Sequence, residues 1–360
     1  MISRLAVRNL RNIETADLDL GAREVFFVGE NGQGKTNLLE AIYFLCYASS
    51  FRICQDEDLI RRGAEDCSFE GRFESDAFGL GEQVRIDISK LKKTVTIDGK
   101  IVKDRRELVE AHPCVVFSHD DMEFATGSPE RRRWFFDQTT SLATPIYIES
   151  LRNYKKVLKT RNACLRERQF DLLDILDEQM IEHGIELMEA RAKAISYFSG
   201  IFSETYTHVS QLADKVEITY RPSWKNEDRE AIREELAQRR DTDAETGLSG
   251  SGPHRDRFHF ISGKQNFSQI ASTGQLRLLS LVMRSCQARY FSERSGKKPI
   301  LLLDDVLLEL DPNRRKRFLE TIPDYEQAFS AFLPGEPHEV YKKESTMVYH
   351  VEAGTYDEER

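Results

Sequence analysis

Apolar and polar residues interleave from Ile2 to Leu10, through Leu5 and Val7, and again at Leu18 and Leu20, the pattern of short half-buried strands over 2–10 and 16–20. Val25-Phe26-Phe27-Val28 is an unbroken apolar run, as expected of a strand buried on both faces of a parallel sheet. A glycine-rich loop follows it, then a helix with Leu38, Leu39, Ile42, Leu45 and Cys46 as apolar positions. Alternation resumes at Phe69/Gly71/Phe73, Val84/Ile86/Ile88 and Val95/Ile97, with a turn at Asp98-Gly99, which predicts an antiparallel subdomain over about 67–104. Val115-Val116-Phe117 reads as another buried strand.

From about 129 to 212 the period is helical. Pro129 follows Ser128 as first-turn proline and cap, and two longer helices break near Gln169–Asp171. A strand at Val216–Tyr220 and a charged helix from Glu227 to Arg240 lead into Asp241–Gly252, which reads as the loosest stretch. Alternation at Phe258, Phe260 and Ile261, a Gly263-Lys264 turn, a helix from Ser272 and a buried strand Ile300–Leu303 follow. The pattern predicts an α/β protein with one lobe from 1–127 and 250–345, a helical insertion at 128–249 and a polar tail at 346–360.

Composition changes this picture little. The 360 residues, 40% hydrophobic and 31% charged, fit a soluble chain of two or three domains. No apolar run approaches the ~20 residues of a membrane span, and the start of the chain has no signal-peptide core. The six cysteines are scattered without a Cys-x-x-Cys pair, which argues against a zinc site or a disulfide framework and for a reducing cytoplasm.

Chemistry enters at Gly29-Glu30-Asn31-Gly32-Gln33-Gly34-Lys35-Thr36, a full match to G-x-x-x-x-G-K-[ST] between a strand and a helix. Glycines let the backbone wrap so that its N–H groups converge on phosphate oxygens. Lys35 neutralises β/γ charge, the Thr36 hydroxyl is a ligand for Mg²⁺, and the helix points its positive end at the anion. The loop predicts an ATP site. The strand Ile300–Leu303 delivers Asp304 and Asp305 to the same crevice, Asp304 for Mg²⁺ and Asp305 to orient or deprotonate the attacking water. Ser272-Thr273-Gly274-Gln275 opens a helix with capping-box spacing. The serine either caps its own helix or, with Gly274 and the helix dipole, receives a terminal phosphate.

In this order, with Glu309-Leu310-Asp311 after the acids, the chain is similar to the ABC ATPases. The resemblance implies that Ser272, Gly274 and Gln275 form the signature motif, acting in trans, and that Asp311 belongs to the D-loop. It implies a dimer with two ATP molecules at the interface. Lys35 and Asp304 lie 269 residues apart, a longer insertion than transporter ATPases need, so a transporter-energising subunit is the weaker alternative.

Within that class the chain resembles the RecF family, over roughly residues 1–320. The resemblance is carried by Leu5-x-Val7-x-Asn9-Leu10-Arg11-Asn12, by Asn37 after the phosphate loop, and by Gly127-Ser128-Pro129-Glu130-Arg131-Arg132-Arg133. Ser251-Gly252-Pro253-His254-Arg255-Asp256 and the Asp304-Asp305 pair complete it. It implies an ABC-type head with an antiparallel β subdomain and an inserted helical lobe, too short for the long coiled coils of the structural-maintenance proteins. Function follows as ATP-dependent dimerisation on double-stranded DNA at gaps or junctions, with RecR and RecO, assisting RecA loading, and with no membrane partner. Residues 323–335 contain no histidine where many ABC ATPases place a switch residue, and no Q-loop glutamine stands out, so slow, timer-like hydrolysis is expected.

The charge pattern leaves DNA contacts open. Net charge is -9, yet residues 131–168 hold ten Lys/Arg against three acids, and 171–190 hold seven acids and no base. Either Arg131, Arg132, Arg133 and the cations after them meet phosphates, or the two helices pair with each other. Arg11 either reaches the nucleotide phosphates or serves as a structural ion-pair residue, and His254 and Arg255 belong either to a buried network or to the site.

Overall fold

In the computed structural model, residues 1–359 are described except 53, 75–80, 213–214, 226 and 336. The chain forms two compact units, Met1–Asp121 with Phe291–Arg360, and Met122–Tyr290.

The first unit opens with β1 (Ile2–Leu10), β2 (Ile13–Asp19), β3 (Glu24–Val28) and α1 (Lys35–Tyr47). It continues through β4 (Asp66–Glu74), β5 (Gly81–Ser89), β6 (Lys93–Ile97), β7 (Lys100–Ile101), α2 (Arg106–Ala111) and β8 (Cys114–Phe117). The second unit holds α3 (Met122–Thr126), α4 (Pro129–Ala143), α5 (Pro145–Glu167), α6 (Leu173–Ser210) and β9 (Val216–Arg221). Then come α7 (Arg229–Gln238), α8 (Arg240–Thr246), β10 (Arg257–Ser262), β11 (Gln265–Asn266), α9 (Phe267–Ile270) and α10 (Thr273–Ser295), which runs across the boundary. Back in the first unit lie β12 (Ile300–Asp304), α11 (Pro312–Thr321), β13 (Gln327–Phe332), β14 (Met347–Glu352) and β15 (Thr355–Glu358).

Two six-stranded sheets build the first unit, one antiparallel in the order β2-β1-β4-β5-β6-β7 and one mainly parallel in the order β15-β14-β3-β13-β12-β8. All of β3 and the apolar part of β12 are buried, as their unbroken apolar runs predict. Helix α1 is buried on nearly every side because it lies between the sheets, touching β4 on one and β12 on the other. Phe44 stacks on Phe69 at 5.0 Å, and Gly71 provides the close approach: a Cβ there would sit 2.5 Å from Leu45 Cδ1. This sandwich fixes the direction in which α1, and the loop before it, can point.

In the second unit α5 and α6 pack together as a hairpin over a core of Tyr154, Met180, Leu187 and Trp224. Gly184 admits the Trp224 ring, which a Cβ would meet at 2.4 Å. At 38 residues α6 is about 57 Å long, so the helical lobe ends without a long coiled coil.

Three expectations change. The expected boundary at 249/250 lies at Tyr290/Phe291 and the one at 127/128 at Asp121/Met122. The reason is that β10 pairs with β9 and the start of α10 is held on α6, where Tyr206 Oη donates to the Gln275 carbonyl at 3.2 Å. Asp241–Gly252 is ordered, because fully buried Arg161 donates to Asp177 at 2.7 Å, Asp243 at 2.9 Å and Ser249 at 2.8 Å. The segment 346–360 is no separate tail. Val348, Tyr349 and Val351 are buried in β14, which extends the parallel sheet alongside β3.

Candidate functional site

The parallel sheet presents β3, β13 and β12 side by side, with Phe27 and Asp304 both in register with Ala331. The loop after β3 and the acids after β12 therefore emerge at one edge of the sheet. Gly34, at φ 124, turns the loop into α1 in a conformation that L side chains rarely adopt. Gly29 is needed for space: a Cβ would lie 2.3 Å from the Val351 carbonyl oxygen.

Lys35 is 3% exposed, its ammonium donating to the Gly29 carbonyl at 2.7 Å and the Glu30 carbonyl at 3.3 Å, and lying 3.7 Å from Asp305. Thr36 Oγ1 donates to Asp304 Oδ1 at 2.7 Å. The four residues read from sequence as phosphate, metal and catalytic groups are thus brought together. Burial, followed by the charge of Asp305 and against the Thr36 hydrogen bond, pushes the Asp304 carboxyl up to about 6. Asp305 is raised by burial too, opposed by Lys35. It sits at φ 55, and its Oδ1 is buried without a hydrogen-bond partner. Two adjacent desolvated acids, one with an unused oxygen, fit a hard cation that takes a hydroxyl and a carboxylate from protein and its other ligands from phosphate and water.

A second layer supports the loop, and sequence reasoning missed it. Asn12, in the β1–β2 turn, donates to the Gly32 carbonyl at 3.1 Å and accepts from Asn37 at 2.6 Å. Arg52 donates to Asn37 Oδ1 at 3.2 Å and lies 3.6 Å from Glu40. The β14–β15 hairpin closes the other side, with the Ala353 amide donating to Gln33 Oε1 at 2.5 Å. One signal was available: Glu40 is a lone acid in the apolar run of α1, and a wholly buried carboxylate requires a cation.

That cation is Arg11. Arg11 forks on Glu40, Nε to Oε2 at 2.5 Å and Nη2 to Oε1 at 2.9 Å, which supports its reading as a structural ion-pair residue. The hydrogen bond to Glu40 raises the guanidinium pKa further. Arg11 braces the helix behind the phosphate loop.

In the other unit Ser272 and Gln275 form the reciprocal capping box, Gln275 N–H donating to Ser272 Oγ at 3.3 Å and Ser272 N–H to Gln275 Oε1 at 2.7 Å. Ser272 and Gly274 are nonetheless exposed, and a Cβ on Gly274 would meet nothing within 4 Å. Asp311 caps α11, accepting from the amides of Asn313 at 3.1 Å and Arg314 at 3.0 Å. Those backbone bonds, Arg314's first, hold its carboxyl below the usual range.

The arginine triad, one candidate for DNA phosphates, makes its bonds inside its own unit. Arg131 pairs with Glu123 at 2.5 Å, Arg132 donates to the Phe124 and Ala125 carbonyls at 3.0 and 2.8 Å, and Arg133 donates to the Asp256 carbonyl at 3.1 Å. Burial lowers the pKa of Arg132 and of Arg133. His254 and Arg255 belong to the buried network: His254 meets Tyr154 Oη at 2.7 Å and the Ser249 carbonyl at 2.8 Å, and burial takes its imidazole down to about 4. Arg255 donates to that same carbonyl at 2.9 Å.

Residues 1–354 match the family described as the RecF/RecN/SMC N terminal domain. The DNA replication and repair protein RecF of Treponema pallidum (strain Nichols) is 41% identical over 97% of this chain and 99% of its own length. RecF of Leptospira interrogans serovar Lai is 32% identical over 91% and 90%. A solved structure of the recombination mediator protein RecF with ATP, from the RecFOR pathway, superposes with a TM-score of 0.89 at 27% identity, covering 100% of this chain and 97% of that one. An Smc head bound to the C-winged helix domain of ScpA gives 0.59 at 15% identity, covering 99% and 96%, a likeness of fold alone.

Proposed function

Because the chain belongs to the RecF family, within the RecF/RecN/SMC group, we propose that it is an ATP-dependent DNA-binding recombination mediator that dimerises on duplex DNA near single-strand gaps. It acts with RecR and RecO to help RecA load during repair and replication restart, and its place is the cytoplasm. The observation that carries the nucleotide half is the 2.7 Å bond from Thr36 to Asp304, which joins two motifs 268 residues apart in the chain. The transporter alternative is not favoured, since the relatives matched along the whole chain are DNA repair proteins.

Thr36 and Asp304 would hold Mg²⁺, which would supply charge neutralisation to the triphosphate. Lys35 is poised to pass its ammonium from backbone carbonyls to those phosphates, and the loop amides cradle them. Asp305, with an unused oxygen, orients or deprotonates the attacking water. Gly274 supports completion in trans. Among the described residues nothing inside the chain needs the space it leaves. A partner's phosphate does. Hydrolysis is slow and acts as a timer.

For DNA, Lys155, Lys156 and Lys159 replace the arginine triad. They are exposed on one face of α5 and make no ion pair among the described residues. Three acids of α6 take other cations: Asp177 pairs with Arg161 of α5 itself and with Arg240, Asp174 with Arg240, and Glu178 with Arg233. The lysines are therefore available to phosphates. With ATP and Mg²⁺ present, changing all three to Ala is expected to weaken binding of a gapped duplex. The dependence of log K on log salt should flatten by about 0.9 for each phosphate the lysines had neutralised. Unchanged affinity and slope would rule this face out, and a parent chain that binds no duplex would rule out the DNA reading itself.

A further inference from the structure

The outer face of the small sheet in the second unit carries positive charge that the chain does not balance. In the antiparallel register of β9 and β10, Arg257 lies opposite Arg221 and His259 opposite Thr219, so all four share one face. Directly opposed residues stand roughly 4.5–5.5 Å apart, and like charges there destabilise the pair. Both arginines are exposed, and among the described residues neither makes an ion pair. Glu217, on the same face opposite Ile261, pairs with neither.

A third guanidinium stands behind this face, Arg132 lying 5.9 Å from the ring of Phe260, whose side chain alternates to the other face of β10. Arg132 donates to the Phe258 carbonyl of β10 at 3.5 Å, and its remaining bonds go to carbonyls of α3, so no carboxylate answers its charge either. Burial together with Arg221, Arg132 and Arg257 holds the His259 imidazole below its ordinary pKa. Beside it, the Thr219 hydroxyl is buried and has no hydrogen-bond partner.

We propose that this face is a binding site for a phosphate-class anion, gripped by Arg221 and Arg257 with His259 beside them. Guanidinium forks match phosphate oxygens in geometry as well as charge. One anion between the two arginines turns a repulsive cross-strand pair into two attractive contacts. The site is separate from the phosphate loop and stands whether or not the chain binds DNA. The anion is either a backbone phosphate of nucleic acid or free phosphate.

The test compares the parent chain with Arg257→Gln and Arg221→Gln. Thermal unfolding is followed as inorganic phosphate replaces chloride at constant ionic strength, and anisotropy reads the binding of a labelled duplex and of a single strand. The phosphate loop and general salt effects act equally on all three proteins, so differences report this face. Each variant is expected to melt higher than the parent without phosphate and to gain less from phosphate. If oligonucleotide affinity also falls several-fold, with the salt slope reduced by about 0.9, the anion is a nucleic-acid phosphate. If only the phosphate response disappears, it is free phosphate. Variants that keep both the parent's phosphate response and its oligonucleotide affinity overturn the site, whatever their melting temperature.

Discussion

A Lys35→Met chain is expected to fold as the parent does and to lose ATP binding. The Lys35 side chain is almost wholly buried, and among the described residues its ammonium is held by two carbonyls and the flank of Asp305. A buried cation in that position gains its main compensation from the triphosphate. Charge-assisted hydrogen bonds contribute about 1.5–3 kcal/mol each, so removing those to both the β and γ phosphates corresponds to roughly 10²–10⁴ in affinity. Methionine matches the length and shape of the lysine stem, and α1 stays anchored between the two sheets by Leu38, Leu39, Phe44 and Leu45. Calorimetric titration with ATP and a melting curve separate the two effects. A variant that binds ATP within a few-fold of the parent would remove Lys35 from the phosphate site.

The second large effect is on association. Ser272→Arg is expected to bind ATP like the parent and to remain monomeric when ATP and Mg²⁺ are supplied. Ser272 and Gly274 are exposed at the start of α10, and the long arginine side chain fills the open space that glycine leaves. Loss of the capping bond to Gln275 costs only about 0.5–2 kcal/mol, too little to unfold the unit. Ser272→Ala loses the same cap without adding bulk, so its behaviour isolates the cap from the obstruction. A Ser272→Arg chain that still dimerises with ATP would return the motif to the role of an ordinary helix start.

How much of this could be read along the chain depends on distance in sequence. The phosphate loop is local, since glycines, lysine and threonine lie within eight positions between a strand and a helix, and it folds as its pattern predicts. Asp304 was legible one step further, because a buried strand delivers its last residue to the ligand edge, and there its carboxylate accepts from Thr36. The partners of Arg131–Arg133 were hidden because charge is visible in sequence and carbonyl acceptors are not. The Asp256 carbonyl that takes Arg133 is 123 residues away. The same blindness hid the acids of α6, whose partners Arg233 and Arg240 sit on later helices. The chain end was missed for a different reason. Met347–Glu352 mixes polar and apolar residues, and only the open edge of β3 turns Val348, Tyr349 and Val351 into a core-facing strand. Arg11 was left between two readings, and its partner, the buried Glu40, supports the structural one.

Sedimentation of the unmodified chain, with ATP and Mg²⁺ and then with neither, addresses the proposed sharing of the nucleotide site most directly. Two molecules that each hold a triphosphate on one side and finish the other's with an exposed serine-led helix must double in mass when nucleotide is added and separate when it is withdrawn. A single sedimenting species of unchanged mass, at nucleotide concentrations that saturate the site, would contradict it.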